Sequence, residues 1–379
     1  MTSRERIVAA VKRQPVDYVP CCISFNPLTP VQRRGYEWQF PWPPEASREE
    51  RLRYQVEELG LDQVVTLSVD VCAPEPFEPE IRVEDGVLHK SYDTPAGVLH
   101  AAVSYDEKWP HGEDIRFFSD FNIAHFIEPW IETEQDLEAF KLVRALADDA
   151  TIEERAASAV AEAQEQARHF DLASLAPCGM GLTGAQHLFG ATQLCMMTVE
   201  KPNLVHAYLD YDHTLNMRAL KALGGRGVDM VRRNGFYETA DFYSPRMLHE
   251  FLGDRLHAER EAAHAGGMLM TYTVNTGVMP ILDYLRELAI DSLFGIDLAF
   301  SGVDPPRLHD ALGEVSSFWT GPSSVYHIWK GPEPTREAVG QTFEVFGRTG
   351  LILAPCVSSH SIMPWESTVA LIDEWKRLR

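Results

Sequence analysis

Three groups of side chains in this sequence have the types and spacing to do chemistry. Glu238, in the segment FYET, stands just beyond Arg232 and Arg233, which end the apolar run GVDMVRR at 227–233. A carboxylate beside two guanidiniums can hold an acidic or zwitterionic substrate, and the same neighbours tune its proton affinity for acid/base work. The same three residues can instead form an internal ion pair that locks a strand. Asp229 sits inside that run among apolar neighbours, so it needs a partner, and it is assigned an orienting role beside Glu238. The second group is Cys356, His360 and His327, whose thiol and imidazoles are metal-ligand types and could form a metal site together with the Glu238 carboxylate. A small buried thiol also packs well as a hydrophobe. Tyr237, Thr273, Asn275 and Asp297 make the third group, hydrogen-bonding side chains at or near the ends of apolar runs that suit a polar small molecule. The roles that follow are catalysis for Glu238, Asp229 and His360, and substrate binding for Arg232, Arg233, Tyr237, Thr273, Asn275, Asp297 and His327. Cys356 is the metal candidate. Phe25, Trp38, Trp42, Phe236, Tyr237, Trp319, Tyr326 and Trp329 can add an aromatic wall, or simply belong to the core.

These residues make a site only if the fold brings them together. Apolar runs at 18–24, 62–67, 171–179, 227–233, 267–273, 291–297, 315–321 and 350–355 read as strands. Helical patterns at 3–13, 48–59, 133–142, 152–169, 183–193, 202–223, 246–265, 279–288, 335–348 and 366–377 lie around and between them. Ser3 is placed to cap the first helix, Ser47 and Glu50 form a capping box, and Ser244-Pro245 is a helix entrance. Alternating residues at 81–104, with turns at Asp85-Gly86 and Pro95-Ala96-Gly97, read as a β-hairpin excursion. Parallel strands with intervening helices predict one (β/α)8 TIM barrel over 1–379, with an N-terminal extension and the hairpin outside the helical ring. A doubly wound sheet is the runner-up. In such a barrel the chemistry sits at the C-terminal ends of the strands, where these side chains fall.

Composition narrows the partners. The chain has 379 residues, of which 34 are basic and 56 acidic, for a net charge of −22. That balance repels phosphate backbones and anionic membrane surfaces, and no basic patch or apolar span offsets it, so neither nucleic acid nor membrane is expected as a partner. The six cysteines contain no CxxC, and their only adjacent pair, Cys21–Cys22, cannot bridge without strain. A reduced, cytoplasmic protein is the expectation, with a homodimer possible.

The opening SRERIVAAVKRQPVDYVP resembles the start of the uroporphyrinogen decarboxylase superfamily, which also contains cobalamin-dependent methyltransferases. DTPAGVLHAAV at 93–103, GVDMVRRNGFYETADFYSPRMLHEFL at 227–252, MPILDYLRELAIDSLFGID at 279–297 and the closing GLILAPCVSSHSIMPWESTVALI are similar to that superfamily's blocks, in the same order. The resemblance implies a TIM barrel and, for the methyltransferase-like branch, methyl transfer between a small methylated substrate and a corrinoid carried by a partner protein. It also implies zinc held by an HxC motif and a later Cys. Here Thr273 and Asn275 stand at the HxC positions, and Cys356 alone matches the later one. The Arg-rich loop that receives uroporphyrinogen carboxylates has no counterpart with the right spacing around Arg33 and Arg34. Two alternatives stay open: decarboxylation of a small carboxylic acid or tetrapyrrole-like substrate, and non-catalytic binding of a corrinoid or tetrapyrrole.

Overall fold

The computed structural model describes residues 1–119 and 123–379. Its strands, in chain order, are β1 (Phe25–Asn26), β2 (Val64–Thr66), β3 (Glu80–Glu84), β4 (Val87–Thr94), β5 (Gly97–Ser104) and β6 (Phe126–Glu128). They continue with β7 (Ala173–Cys178), β8 (Met230–Asn234), β9 (Leu269–Thr273), β10 (Ser292–Asp297), β11 (Ser317–Gly321), β12 (Leu351–Leu353) and β13 (Ser359–His360). A curled parallel sheet of seven strands carries the architecture, in the order β12-β11-β10-β9-β8-β7-β2. Helices connect its strands, as parallel pairing requires.

The run at 18–24, expected as a strand, enters this sheet only through single bonds. Cys22 N–H donates to the Leu353 carbonyl at 2.9 Å, and Leu353 N–H donates to the Pro20 carbonyl at 2.8 Å. On its other side Asp62 N–H donates to the Cys21 carbonyl at 2.9 Å. Pro20 has no N–H to give, so a regular ladder cannot run through it. The segment thus touches the edge strand β12 and the residues leading into β2, a TIM-like arrangement with a thin seam where the eighth strand was expected.

Side-chain alternation sorts the sheet into two faces. Inward residues Leu175, Met230, Phe294, Trp319 and Ile352 pack with Ile7, Ala10 and Val11 of the first helix, Ser3–Val11. That helix is capped by Thr2 rather than Ser3, because Thr2 is the extended residue; its hydroxyl accepts Glu5 N–H and Glu5 answers on the Thr2 N–H. Arg6, buried on the same helix, fixes it through Asp17 and Asp62, each at 2.6 Å. The outward face packs on the helices in the larger core cluster.

The expected hairpin is part of something larger. β3 to β6 form a four-stranded antiparallel sheet, with Asp85 and Gly86 both in the left-handed region at its first turn. Leu88, Tyr92, Leu99 and Val103 share a core cluster with Leu137 and Phe140 of the helix Glu134–Val143. The helix expected over 183–193 is two, Gly181–Phe189 and Ala191–Glu200, broken at Gly190 with φ 76°.

Candidate active-site cavity

β8 sends its two arginines to opposite faces. Arg233 points outward and is fully buried among three carboxylates: Glu238 at 3.3 Å, Asp212 at 3.5 Å and Glu259 at 3.5 Å. Glu238 also accepts Leu182 N–H at 2.8 Å and the Tyr272 hydroxyl at 2.7 Å. Glu259 bonds His213 Nδ1 at 3.0 Å, and Asp212 accepts Gly181 N–H and the Asn216 amide, both at 3.0 Å. Gly179 and Gly181, at φ 47° and 48°, let the backbone wrap this cluster; a Cβ on either would collide with the Arg233 guanidinium. Burial raises the Glu238 and Asp212 carboxyls against the pull of Arg233. Burial also acts to raise Glu259, but Arg233, His213 and Asn216 together leave it below its usual value.

Arg232 points inward, into a cavity of about 270 Å³ that follows the thin seam. Its guanidinium lies 3.7 Å from the Phe294 ring centroid and 4.7 Å from that of Trp319. Nε donates weakly to the Thr271 hydroxyl at 3.3 Å, while Nη2 is buried with no hydrogen-bond partner. Burial pushes this guanidinium down to about 10. Cys22, Gln63, Val64 and Thr66 line the cavity beside it, and Phe25, Phe40 and Trp42 form an aromatic wall. Phe25 packs edge-on to Phe40 and Trp42 at 5.6 and 5.2 Å. Gln63 holds the seam, donating to the Ile23 carbonyl at 3.0 Å, while its own oxygen faces the Cys22 thiol at 3.5 Å. Arg48 and Arg51, on the helix Arg48–Arg53 behind the Ser47 cap, complete the lining. Arg48 is exposed and donates to the Thr66 carbonyl at 2.5 Å.

A second polar cluster sits at the C-terminal ends of β9 to β12. The Cys356 thiol and the Asn275 amide both donate to the Gly295 carbonyl, at 2.7 and 2.6 Å. Asp297 N–H donates to the Asn275 carbonyl, and Ser323 donates its hydroxyl to Asp297 at 2.9 Å. His327 Nδ1 accepts Ser323 N–H at 3.0 Å, and His360 Nε2 lies 3.2 Å from the Ser358 hydroxyl. Burial raises the Cys356 thiol and the Asp297 carboxyl and lowers both imidazoles.

The structure therefore gathers Asn275, Asp297, His327, Cys356 and His360 at one rim and separates them from the rest. Of the residues assigned catalytic, substrate-binding or metal roles from sequence, the cavity lining contains Arg232 alone. The expected joint pocket of Glu238 with both arginines is not formed, because consecutive strand residues face opposite ways and Glu238 follows Arg233 to the outer face. Asp229 is corrected as well: it precedes β8 at the N-terminal end, accepts Ser174 N–H at 2.8 Å and pairs with Arg4 of the first helix at 2.8 Å. Tyr237 stands near the outer network, its N–H donating to the Thr183 hydroxyl, and Thr273 is fully buried with an unbonded hydroxyl. The donors at the resemblance's zinc positions do not fit that ion, since Thr273 and Asn275 offer a neutral hydroxyl and amide where zinc takes imidazole and thiolate, which leaves Cys356 as a single soft ligand. Among the described residues no group of three or more His, Cys, Asp or Glu is arranged to hold a metal. The expected aromatic wall is realised in part: Phe25, Trp42 and Trp319 line the cavity, whereas Trp329 packs against Tyr36 outside it. Cys22, Gln63, Arg48 and Arg51 were not anticipated. Strict alternation along GVDMVRR was the available signal that Arg232 and Arg233 part company.

No family model matches the chain, and no curated protein matches it. Among solved structures it is similar to a methyltransferase from Methanosarcina mazei, with a TM-score of 0.61 at 18% identity over 100% of this chain and 99% of the other. A 3-keto-D-glucoside 4-epimerase from E. coli superposes less well, at TM-score 0.39 and 9% identity, covering 60% of this chain and 86% of its own. The first of these likenesses shows a shared fold from end to end.

Proposed function

We propose that the protein is a methyltransferase that binds a small methylated substrate in the cavity beside Arg232 and exchanges its methyl group with a corrinoid carried by a partner protein. The observation that supports this reading is the cavity on the inner face of the sheet, in a fold shared along its whole length with the Methanosarcina mazei methyltransferase. A volume of about 270 Å³ holds a small molecule but not a corrinoid macrocycle, which fits a cofactor brought to the mouth by another protein. The corrinoid supplies a cobalt centre able to donate an electron pair to a methyl carbon and to give that methyl up again. This chain's own residues do the rest. Phe25, Phe40, Trp42, Phe294 and Trp319 exclude water from the reacting group, which strengthens every polar contact inside. Arg232 anchors the substrate and fixes its distance from the mouth. The rim residues Asn275, Asp297, His327, Cys356 and His360 would shape the approach of the partner.

The test is optical. Purified full-length chain is mixed with methylcobalamin and a panel of small thiols and oxyacids, and loss of the methyl–cobalt absorbance is followed. Acceleration over the protein-free rate, lost in Trp42→Ala, is the expected result. Tight corrinoid binding with no methyl movement across the panel would replace the reading with that of a binding protein. Decarboxylation by an arginine clamp and a carboxyl acid is less well supported, because the cavity lining contains no Asp or Glu.

A further inference from the structure

The cavity has an electrostatic character opposite to that of the chain. The protein carries 56 acidic residues against 34 basic ones, yet the cavity is lined by Arg48, Arg51 and Arg232 and by no Asp or Glu. Random sampling of this surface would favour carboxylates. The deepest of the three, Arg232, forms no ion pair among the described residues. A guanidinium has five N–H donors. Here the faces of the group are covered by Phe294 and Trp319, one edge touches the Thr271 hydroxyl, and Nη2 is left buried and unbonded. Aromatic contacts of this kind offset only part of the cost of burying a charge. An unpaired guanidinium retained at such a cost calls for an anion that is not part of the chain.

We infer that the cavity is a receptor for a small organic acid, its oxyanion head bound by the free edge of Arg232 and its flat or short apolar body held against Phe25, Phe40 and Trp42. Geometry selects this class. The planar fork of arginine matches a carboxylate or phosphoryl head through paired hydrogen bonds. The aromatic wall offers apolar area and rigid ring edges for the body. Cys22, Gln63 and Thr66 supply neutral polar contacts without a competing negative charge. Arg51, half-buried, and Arg48, exposed, extend the positive lining outward, so an anion entering from solvent meets favourable potential along the way in a protein that otherwise repels it. This inference deepens the methyltransferase reading by naming the substrate class, and it rests on that reading only for the reaction, not for the binding.

The measurement is isothermal titration calorimetry on the full chain at low ionic strength, with no corrinoid or methyl donor present. Benzoate is the probe, benzamide its neutral isostere, and phenyl phosphate and benzenesulfonate vary the head. Benzoate should bind at one site, benzamide at least tenfold more weakly, and the order among the three anions names the head group. Arg232→Gln should lose benzoate binding at least tenfold while its Tm stays at or above that of the parent. Arg51→Gln, a rim change that leaves the interior untouched, should weaken benzoate severalfold and flatten its salt dependence. Equal affinity for benzoate and benzamide would overturn the inference, as would unchanged benzoate binding in folded Arg232→Gln. Because no methyl chemistry enters, anion binding without methyl transfer would refute the earlier reading alone. Methyl transfer from a neutral substrate without anion binding would refute this one alone.

Discussion

Arg232 and Arg233 are neighbours on one strand, and they live in opposite electrostatic worlds. Arg233, on the outer face, is charge-compensated: three carboxylates surround it, although its Nε and Nη1 make no hydrogen bond, and two glycines are shaped to let it sit there. Arg232, on the inner face, has aromatic rings, one weak hydroxyl contact and an orphan nitrogen. The first arrangement has what a structural buried ion cluster needs, with partners and hydrogen bonds to answer its desolvation. The second has what a ligand site needs, a group held in place by packing with its bonding capacity unspent. Two copies of one side chain therefore serve the fold and the function separately, and the pleat of a strand is what divides them.

The largest expected effect breaks the charge-compensated side. Arg233→Met leaves Asp212, Glu238 and Glu259 buried together with only His213 to answer them, and should cost about 3–5 kcal/mol, the usual result of removing one partner from a buried ionic cluster. Urea unfolding of the variant would show it, and a midpoint close to that of the parent would mean the cluster is not the lock described. Arg232→Leu should act in the other direction. Replacing an unpaired buried charge by an apolar side chain of similar reach should raise stability on the order of 1 kcal/mol or more. The same unfolding measurement on a ligand-free sample checks it. A fall in stability like that of Arg233→Met would erase the contrast.

Much of the framework was legible from local signals. The apolar runs from 171 onward became β7 to β12, and the Ser47 and Ser244 caps stand where side-chain oxygens three residues before backbone N–H groups predicted them. Local chemistry decides such features, so a window of a few residues suffices. The site was less legible because its walls come from distant parts of the chain: Cys22, Trp42, Gln63, Arg232 and Trp319 meet only when the sheet curls. The strand-end rule is topological and works without contacts, so it placed Asn275, Asp297, His327, Cys356 and His360 at one end of the sheet. The same rule failed for Glu238 because it says where along a strand a residue lies, not toward which face its side chain turns. Asp229 failed for a related reason: it begins the strand rather than ending it.

A smaller effect tests Glu238 itself. Glu238→Gln keeps the shape but turns the charge-assisted bonds from Leu182 and Tyr272 into neutral ones, removes the ion pair with Arg233, and presents an amide where only acceptors are wanted. Stability should fall by about 1–3 kcal/mol. Anion binding in the cavity and turnover per folded molecule should survive, since Glu238 faces away from both. A folded variant that binds its ligand normally but loses turnover a hundredfold would restore the carboxylate to the chemistry, as an acid/base group of ordinary strength.

The smallest effect concerns the rim, which should respond to pH where the two arginines do not. Burial lowers the His327 imidazole against the opposing pull of Asp297 and Glu337, and burial lowers His360 as well. A group whose folded pKa is depressed contributes stability above its unfolded value and loses it as pH falls through the folded one. For histidine the loss therefore begins near pH ~6.5 and deepens below it. The geometry gives the reason at His327: Nδ1 accepts the Ser323 N–H at 3.0 Å, and a protonated Nδ1 can no longer accept. Asp297 works in a lower window and with the opposite sign, because a raised carboxyl stabilises the fold at low pH and stops doing so as it ionises. From about pH 6.5 to 5 the imidazoles withdraw stability while raised carboxyls such as Asp297 oppose them, so the imidazole share of Tm should decline with falling pH across that interval. His327→Gln can keep an acceptor for Ser323 without a titrating proton, and it should flatten the decline without moving Tm at pH 8. A decline of the same depth in His327→Gln and parent would place the sensitivity elsewhere, with His360→Gln the next variant to measure. Benzoate affinity offers the sharper contrast: Arg232 stays charged throughout this interval and lies outside the rim, so cavity binding should hold constant while the rim titrates.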